Sequence, residues 1–151
     1  MSRFTLASVD ASRSRKLDPL SAATTDYLRR NALFEPCDDR AFASEAAFLD
    51  TYQPPPGKPR SYLILCDSTG KSFSSTAFAE RLRSLRDSGQ RSVVLAIGPA
   101  SGWSPTALAR ADLLLSFGPM TLPHALARLV LAEQLYRAMT IWAGHPYHTG
   151  H

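Results

Sequence analysis

The sequence predicts an α/β fold built around a mainly parallel sheet. Three continuous apolar runs, Tyr62–Cys66, Ser92–Ile97 and Leu113–Phe117, are bounded by turn residues and read as strands buried on both faces. Segments with apolar residues at helical spacing alternate with them, the order that parallel strands joined by helical crossovers require. At 151 residues, 44% hydrophobic and 20% charged, the chain fits one globular domain and neither the disordered nor the membrane class.

Phe4–Val9 is a short apolar run suited to a first strand. Pro19 to about Arg30 reads as a helix that turns Leu20, Ala23, Tyr27 and Leu28 inward, and Ala32–Pro36 is the candidate second strand. From Ala41 to Tyr52, Phe42, Ala46, Phe48 and Leu49 recur at helical spacing until Pro54, Pro55, Pro56, Gly57 and Pro59 end the helix. After the Tyr62–Cys66 strand, Asp67–Lys71 reads as a loop. Ser74 or Ser75 then caps a helix reaching about Ser88, with Phe78, Leu82 and Leu85 on one face and Gly89 closing it.

The strand Ser92–Ile97 runs into Gly98-Pro-Ala-Ser-Gly102, and Ser104-Pro105 is a cap followed by proline at the first helical position, so a short helix should reach about Ala111. Leu113–Phe117 precedes a long helix, Leu122 to Trp142, for which Thr121 is the expected cap. That helix carries Leu122, Leu126, Leu129, Val130, Leu131, Leu135, Met139 and Ile141, interrupted only by His124, Arg128, Glu133, Gln134 and Arg137. A helix apolar on most sides needs cover on most sides, which a domain of this size cannot supply alone. The expectation is a two-fold homodimer with this helix at its interface.

Lys and Arg number 17 against 13 acidic residues, for a net charge of +4, and a pI near 9.4. This leans mildly toward a polyanionic partner. Cys37 and Cys66 are too few and too far apart for a zinc ribbon or a disulfide framework, which points to a reducing cytoplasm. The first residues reach polar Ser8 without the apolar stretch of a secretory signal, and no apolar run approaches a membrane span.

Asp67-Ser-Thr-Gly70-Lys71-Ser72 follows a strand and precedes a helix, as a phosphate-binding loop does, but Leu65 stands where that loop needs its first glycine. Gly98-Pro-Ala-Ser-Gly102 places Ser101 one position too late for a hydrolase nucleophile elbow. Two glycines after a buried parallel strand still suit a ligand, because ligands in such sheets lie beyond the carboxyl ends of strands. The alternative is an ordinary strand-to-helix turn. His145, His148 and His151 crowd the terminus without nearby cysteine or acidic ligands, so no metal is expected.

Taken together, Ile97-Gly98 through Gly102, Met120-Thr-Leu-Pro-His124, Leu131-x-Glu133-Gln-x-Tyr136-Arg137-Ala138 and His145-Pro-Tyr-His148 resemble the ribosomal RNA large subunit methyltransferase H family, of the SPOUT class of knotted methyltransferases. Asp67-x-x-Gly70-Lys71 and Tyr27-Leu28-Arg29-Arg30 fit as well. The resemblance implies a five-stranded, three-layer α/β/α domain over 1–151, a trefoil knot over roughly 92–142 and an active-site tail at 143–151. It implies S-adenosyl-L-methionine held mainly by backbone, against Cys66, Gly98, Gly102, Phe117, Gly118, Pro119, Met120, Thr121 and Leu122.

The implied reaction is methylation of N3 of a pseudouridine in helix 69 of 23S ribosomal RNA, on the assembled ribosome and by a homodimer. By the same resemblance His145, Tyr147 and His148 close over the substrate, with His148 handling the proton. Arg29, Arg30, Lys71, Arg81, Arg128 and His124 are candidate RNA contacts. The chain departs from the family pattern at Pro99, where a second glycine is usual, at Ala100 and Ser101, and at Thr149, where a basic residue is common. Pro99 has no amide N–H to offer a ligand. These departures leave a second reading, a knotted dimer that binds ribosome or RNA without catalysis.

Overall fold

The computed structural model describes residues 2–9 and 18–150, so expectations that fall on His151 lie outside it. Among the described residues, strands β1 (Phe4–Val9), β2 (Cys37–Phe42), β3 (Tyr62–Ser72), β4 (Val93–Ile97) and β5 (Leu113–Ser116) alternate with helices α1 (Pro19–Asn31), α2 (Glu45–Thr51), α3 (Ser75–Asp87), α4 (Pro105–Arg110) and α5 (His124–Trp142). All strand pairs are parallel, in the order β2-β1-β4-β3-β5, so the carboxyl ends share one end of the sheet.

Alternation along the strands sorts side chains into two cores. On one face Phe4, Leu6, Ile64, Val93, Leu95 and Ile97 meet α1, α3 and α5 through Leu28, Leu82, Leu131 and Leu135. On the other, Ala7, Val9, Leu63, Leu65, Val94 and Ala96 meet Phe48 of α2, Trp103 and Ala107 of α4. This is the expected three-layer architecture. Ser74 and Ser104 cap α3 and α4 by accepting the N–H groups of Ala77 and Ala107, at 3.1 and 3.2 Å.

The elements differ from expectation where tertiary contacts outweigh local pattern. Ala32–Pro36 is the turn out of α1, not a strand; Phe34 packs edge-on against Tyr136, and Leu33 is exposed. The second strand is Cys37–Phe42, whose Asp38, Asp39 and Arg40 suit an edge position. The next helix starts after Ser44, which caps it through Ala47 N–H at 3.1 Å, leaving Ala41 and Phe42 to β2. Asp67–Lys71 is not a free loop. The ladder with β5 bulges between Cys66 and Lys71, both of which pair with Leu115, and β3 continues to Ser72. Gly70 allows this, since a Cβ there would lie 2.5 Å from the carbonyl carbon and oxygen of Leu114.

Helix α5 begins at His124, with Pro123 at its cap position and no side-chain cap, so Thr121 does not serve as one. Leu131, Leu135 and Met139 are fully buried by the sheet and α1 and α3. Leu126, Leu129, Val130 and Ile141 remain half-buried within one chain.

Candidate active site

The bulge of β3 and the carboxyl ends of β4 and β5 open into a cleft of about 240 Å³. Its lining brings together Cys66, Gly98, Gly102 and Phe117, Gly118, Met120, Thr121 and Leu122, residues far apart in sequence. Pro119, named with them, is exposed and outside the lining. The volume falls just below the range of roughly 300–1,000 Å³ usual for small-molecule sites, so a nucleoside-sized ligand would extend past the mouth.

Trp103 forms one wall and had no place in the sequence reading. Its indole N–H donates to the Cys66 carbonyl at 3.0 Å, and the ring packs on Phe48 at 5.3 Å between centroids. The indole lies so close to Gly98 that a Cβ there would be 2.7 Å from Trp103 Cε2. Gly98 is therefore required by packing, while Gly102 turns the chain at a φ of 88°. An aromatic residue directly after the Gly102 turn was the available signal for this wall.

Burial, with the Asp67 carboxylate beside it, pushes the Cys66 thiol up to about 12. A neutral thiol is no nucleophile, so Cys66 shapes the cleft without attacking. Asp67 is the one acidic or basic lining residue besides His124 among those described. Its carboxylate accepts the Thr69 backbone N–H at 3.0 Å and also the Thr69 hydroxyl. His124 lies in the first turn of α5, its Nε2 3.0 Å from the Val9 carbonyl oxygen, and it borders the cleft.

No described tail residue lines this cleft. The tail folds back on α1 and α5 of its own chain instead. The Tyr147 hydroxyl donates to Glu133 Oε1 at 3.1 Å and lies 3.3 Å from the Tyr27 hydroxyl; its ring meets Tyr136 edge-on at 4.8 Å. Burial, then the contacts with Tyr27 and Glu133, raise the Tyr147 phenol above its ordinary value, so it acts as a neutral group. Arg137 bridges Glu133 at 2.6 Å and lies 3.0 Å from His148 Nδ1. Guanidinium only donates, so Nδ1 accepts and the ring proton of neutral His148 sits on Nε2. His145 is exposed, and its Nδ1 accepts the Tyr147 N–H at 3.2 Å.

The candidate RNA contacts separate into two groups. Arg29, Arg30 and Lys71 are exposed, with Arg30 over the rings of Tyr27 and Tyr136 and Lys71 and Arg81 both over Phe73. Arg128 is corrected: its side chain is 5% exposed and binds both Asp39 carboxylate oxygens at 2.8 Å. A guanidinium so paired has no fork left for phosphate. Among the described residues no group of three or more metal-ligating side chains converges, and no helix is long and apolar enough to cross a membrane.

The five-stranded parallel sheet carries this cleft at one end, and the family described as "Predicted SPOUT methyltransferase" matches residues 14–148. The chain belongs to that family and is by class a methyltransferase. It is similar to the ribosomal RNA large subunit methyltransferase H of Koribacter versatilis, 42% identical over 136 residues, 90% of this chain and 92% of the relative. The protein of the same name from Rhizobium meliloti is 56% identical over 88 residues, 58% of this chain and 55% of the relative.

Two solved structures share the fold. A probable methylase family protein from Haemophilus influenzae aligns with a TM-score of 0.58 at 10% identity, over 95% of this chain and 67% of that one. The SpoU methyltransferase AviRb from Streptomyces viridochromogenes, solved with AdoMet, aligns with a TM-score of 0.51 at 12% identity, over 91% of this chain and 58% of that one.

Proposed function

We propose that this chain methylates 23S ribosomal RNA from S-adenosylmethionine, at N3 of a pseudouridine in helix 69 on the assembled ribosome. The observation that carries the reading is the cleft itself: Cys66, Gly98, Gly102, Phe117, Gly118, Met120, Thr121 and Leu122 converge at the bulge of β3 and the carboxyl ends of β4 and β5. The lining fits such a donor, since apolar walls from Ile97, Trp103, Leu115 and Leu122 suit an adenine and the single carboxylate of Asp67 suits a cation. When bound, the donor supplies an electrophilic methyl group. Among the described lining residues the Cys66 thiol is neutral, so the chain's task is to position two reactants and to exclude water.

The tail residues are proposed to meet the acceptor base. Glu133, which receives the Tyr147 hydroxyl, lies six residues along α5 from Ala127 in the cleft wall, about 9 Å of helix rise. A two-fold dimer across the half-buried apolar side of α5 would bring the tail of one protomer to the cleft of the other. His148 handles the imide proton in this reading, taken at Nδ1 by exchanging the Arg137 bond for the substrate. Tyr147, neutral, donates a hydrogen bond to the base by giving up its bond to Glu133. Arg29, Arg30, Lys71 and Arg81 supply phosphate contacts outside the cleft, which suits recognition by shape on a large particle.

Mass spectrometry of ribosomal RNA from cells with and without the gene tests the assignment. A single methylpseudouridine lost from helix 69 on deletion, and restored by the wild-type chain but not by His148→Ala, is the expected result. An unchanged helix 69 would remove the target, and an unchanged methylation inventory would remove catalysis altogether.

A further inference from the structure

Asp67 lies in the bulge of β3, at a point where the strand leaves its ladder between Cys66 and Lys71. The bulge carries residue 67 out of the ladder and into the cleft wall beside Ser68. The Thr69 backbone N–H and hydroxyl both hold its carboxylate, which fixes its orientation. It stands next to Cys66, whose thiol titration it disturbs, so its charge is felt inside the cleft. No Lys or Arg is among the lining residues described to neutralise it.

Building on the proposed donor, we infer that Asp67 makes the cleft selective for charge, holding the cationic sulfonium donor more tightly than the neutral thioether that methyl transfer leaves behind. Methyl transfer removes one positive charge from the bound molecule. A fixed anion in the wall of a half-exposed cleft attracts the donor by Coulomb's law and leaves the thioether, otherwise nearly identical in shape, without that attraction. Product release is thereby coupled to the loss of charge. Without such a group, an enzyme whose donor and product share the adenosine and amino-acid moieties would bind both with similar strength.

The test is calorimetric titration of the full-length protein and of Asp67→Asn with three ligands. These are S-adenosylmethionine, S-adenosylhomocysteine and an amine analogue that carries a positive charge in place of the sulfonium. Asparagine retains an oxygen for the Thr69 N–H, so the bulge is kept, and melting temperature is recorded as a check. Asp67→Asn is expected to weaken both cationic ligands on the order of five- to tenfold while leaving the thioether unchanged, with the difference shrinking as salt rises. Asp67→Glu should recover part of the preference. Equal weakening of all three ligands, or of none, overturns the inference. Failure of the wild-type chain to bind any of them overturns the proposed donor instead.

Discussion

Replacing Gly98 with alanine would set a methyl group 2.7 Å from Trp103 Cε2, 2.8 Å from Nε1 and 2.9 Å from Cδ2. The obstacle is a wall of the cleft and not the end of a flexible side chain. Trp103 is 8% exposed, packed on Phe48 and tied by its N–H to the Cys66 carbonyl, so it can yield only by giving up these contacts. Loss of the hydrogen bond costs about 1 kcal/mol, and overpacking a buried site adds about 1–3 kcal/mol. For a domain of this length the combined loss, about 2–4 kcal/mol, lowers Tm by about 4–16 °C. Urea and thermal unfolding measure the loss, and calorimetry follows donor affinity, which should fall because the displaced indole enters the cleft. Combining Gly98→Ala with Trp103→Leu should return part of the stability, since the two sites share one contact. Unchanged unfolding and unchanged affinity in Gly98→Ala would refute the packing argument.

Arg128→Met should destabilise the fold by about 1–3 kcal/mol in urea unfolding, because it strands Asp39, whose own side chain is 35% exposed and regains some water. Its effect on RNA affinity and on the salt slope of binding should be nil; a slope reduced by about one would restore Arg128 as a phosphate contact. Burial pushes the Cys37 thiol up to about 12, as it does that of Cys66. Both folded values lie above the ordinary 9.0, so this stability is full below pH 9 and is lost as pH rises toward 12. A Cys37→Ala/Cys66→Ala variant should show a flatter alkaline decline in Tm than the wild type; parallel curves would place the cause elsewhere. Leu129→Asp puts a charge on the half-buried side of α5, and sedimentation should find the wild-type chain dimeric and the variant monomeric; a monomeric wild type at low micromolar concentration contradicts the dimer.

Much of the fold is legible where local pattern and tertiary demand agree. Val93–Ile97 is apolar throughout because both faces of a central parallel strand are covered, and Ser74 and Ser104 announce their helices because a cap needs only neighbours three residues away. Strand β2 is illegible for the opposite reason. Its Asp38, Asp39 and Arg40 sit at the sheet edge, and Asp39 earns its place through Arg128, 89 residues onward. The same pair explains why Arg128 looked like a surface cation: helical spacing says nothing of a partner on another strand. The cleft divides along similar lines. Gly98 and Gly102 mark a turn at a strand end, and the resemblance carried Cys66 and 117–122; Trp103, and the place in the cleft of Asp67, which the resemblance matched only as part of a motif, depend on packing between layers and on the bulge of β3.

Tryptophan fluorescence during titration with S-adenosylmethionine tests the central claim most directly, because Trp103 lines the cleft while Trp142 lies at the last turn of α5, donating to the Ala79 carbonyl at 2.8 Å. Saturable quenching in the micromolar range, lost in Trp103→Phe and kept in Trp142→Phe, is the predicted outcome. An absence of binding in the wild-type chain, or quenching that survives in Trp103→Phe and vanishes in Trp142→Phe, would place the donor outside this cleft.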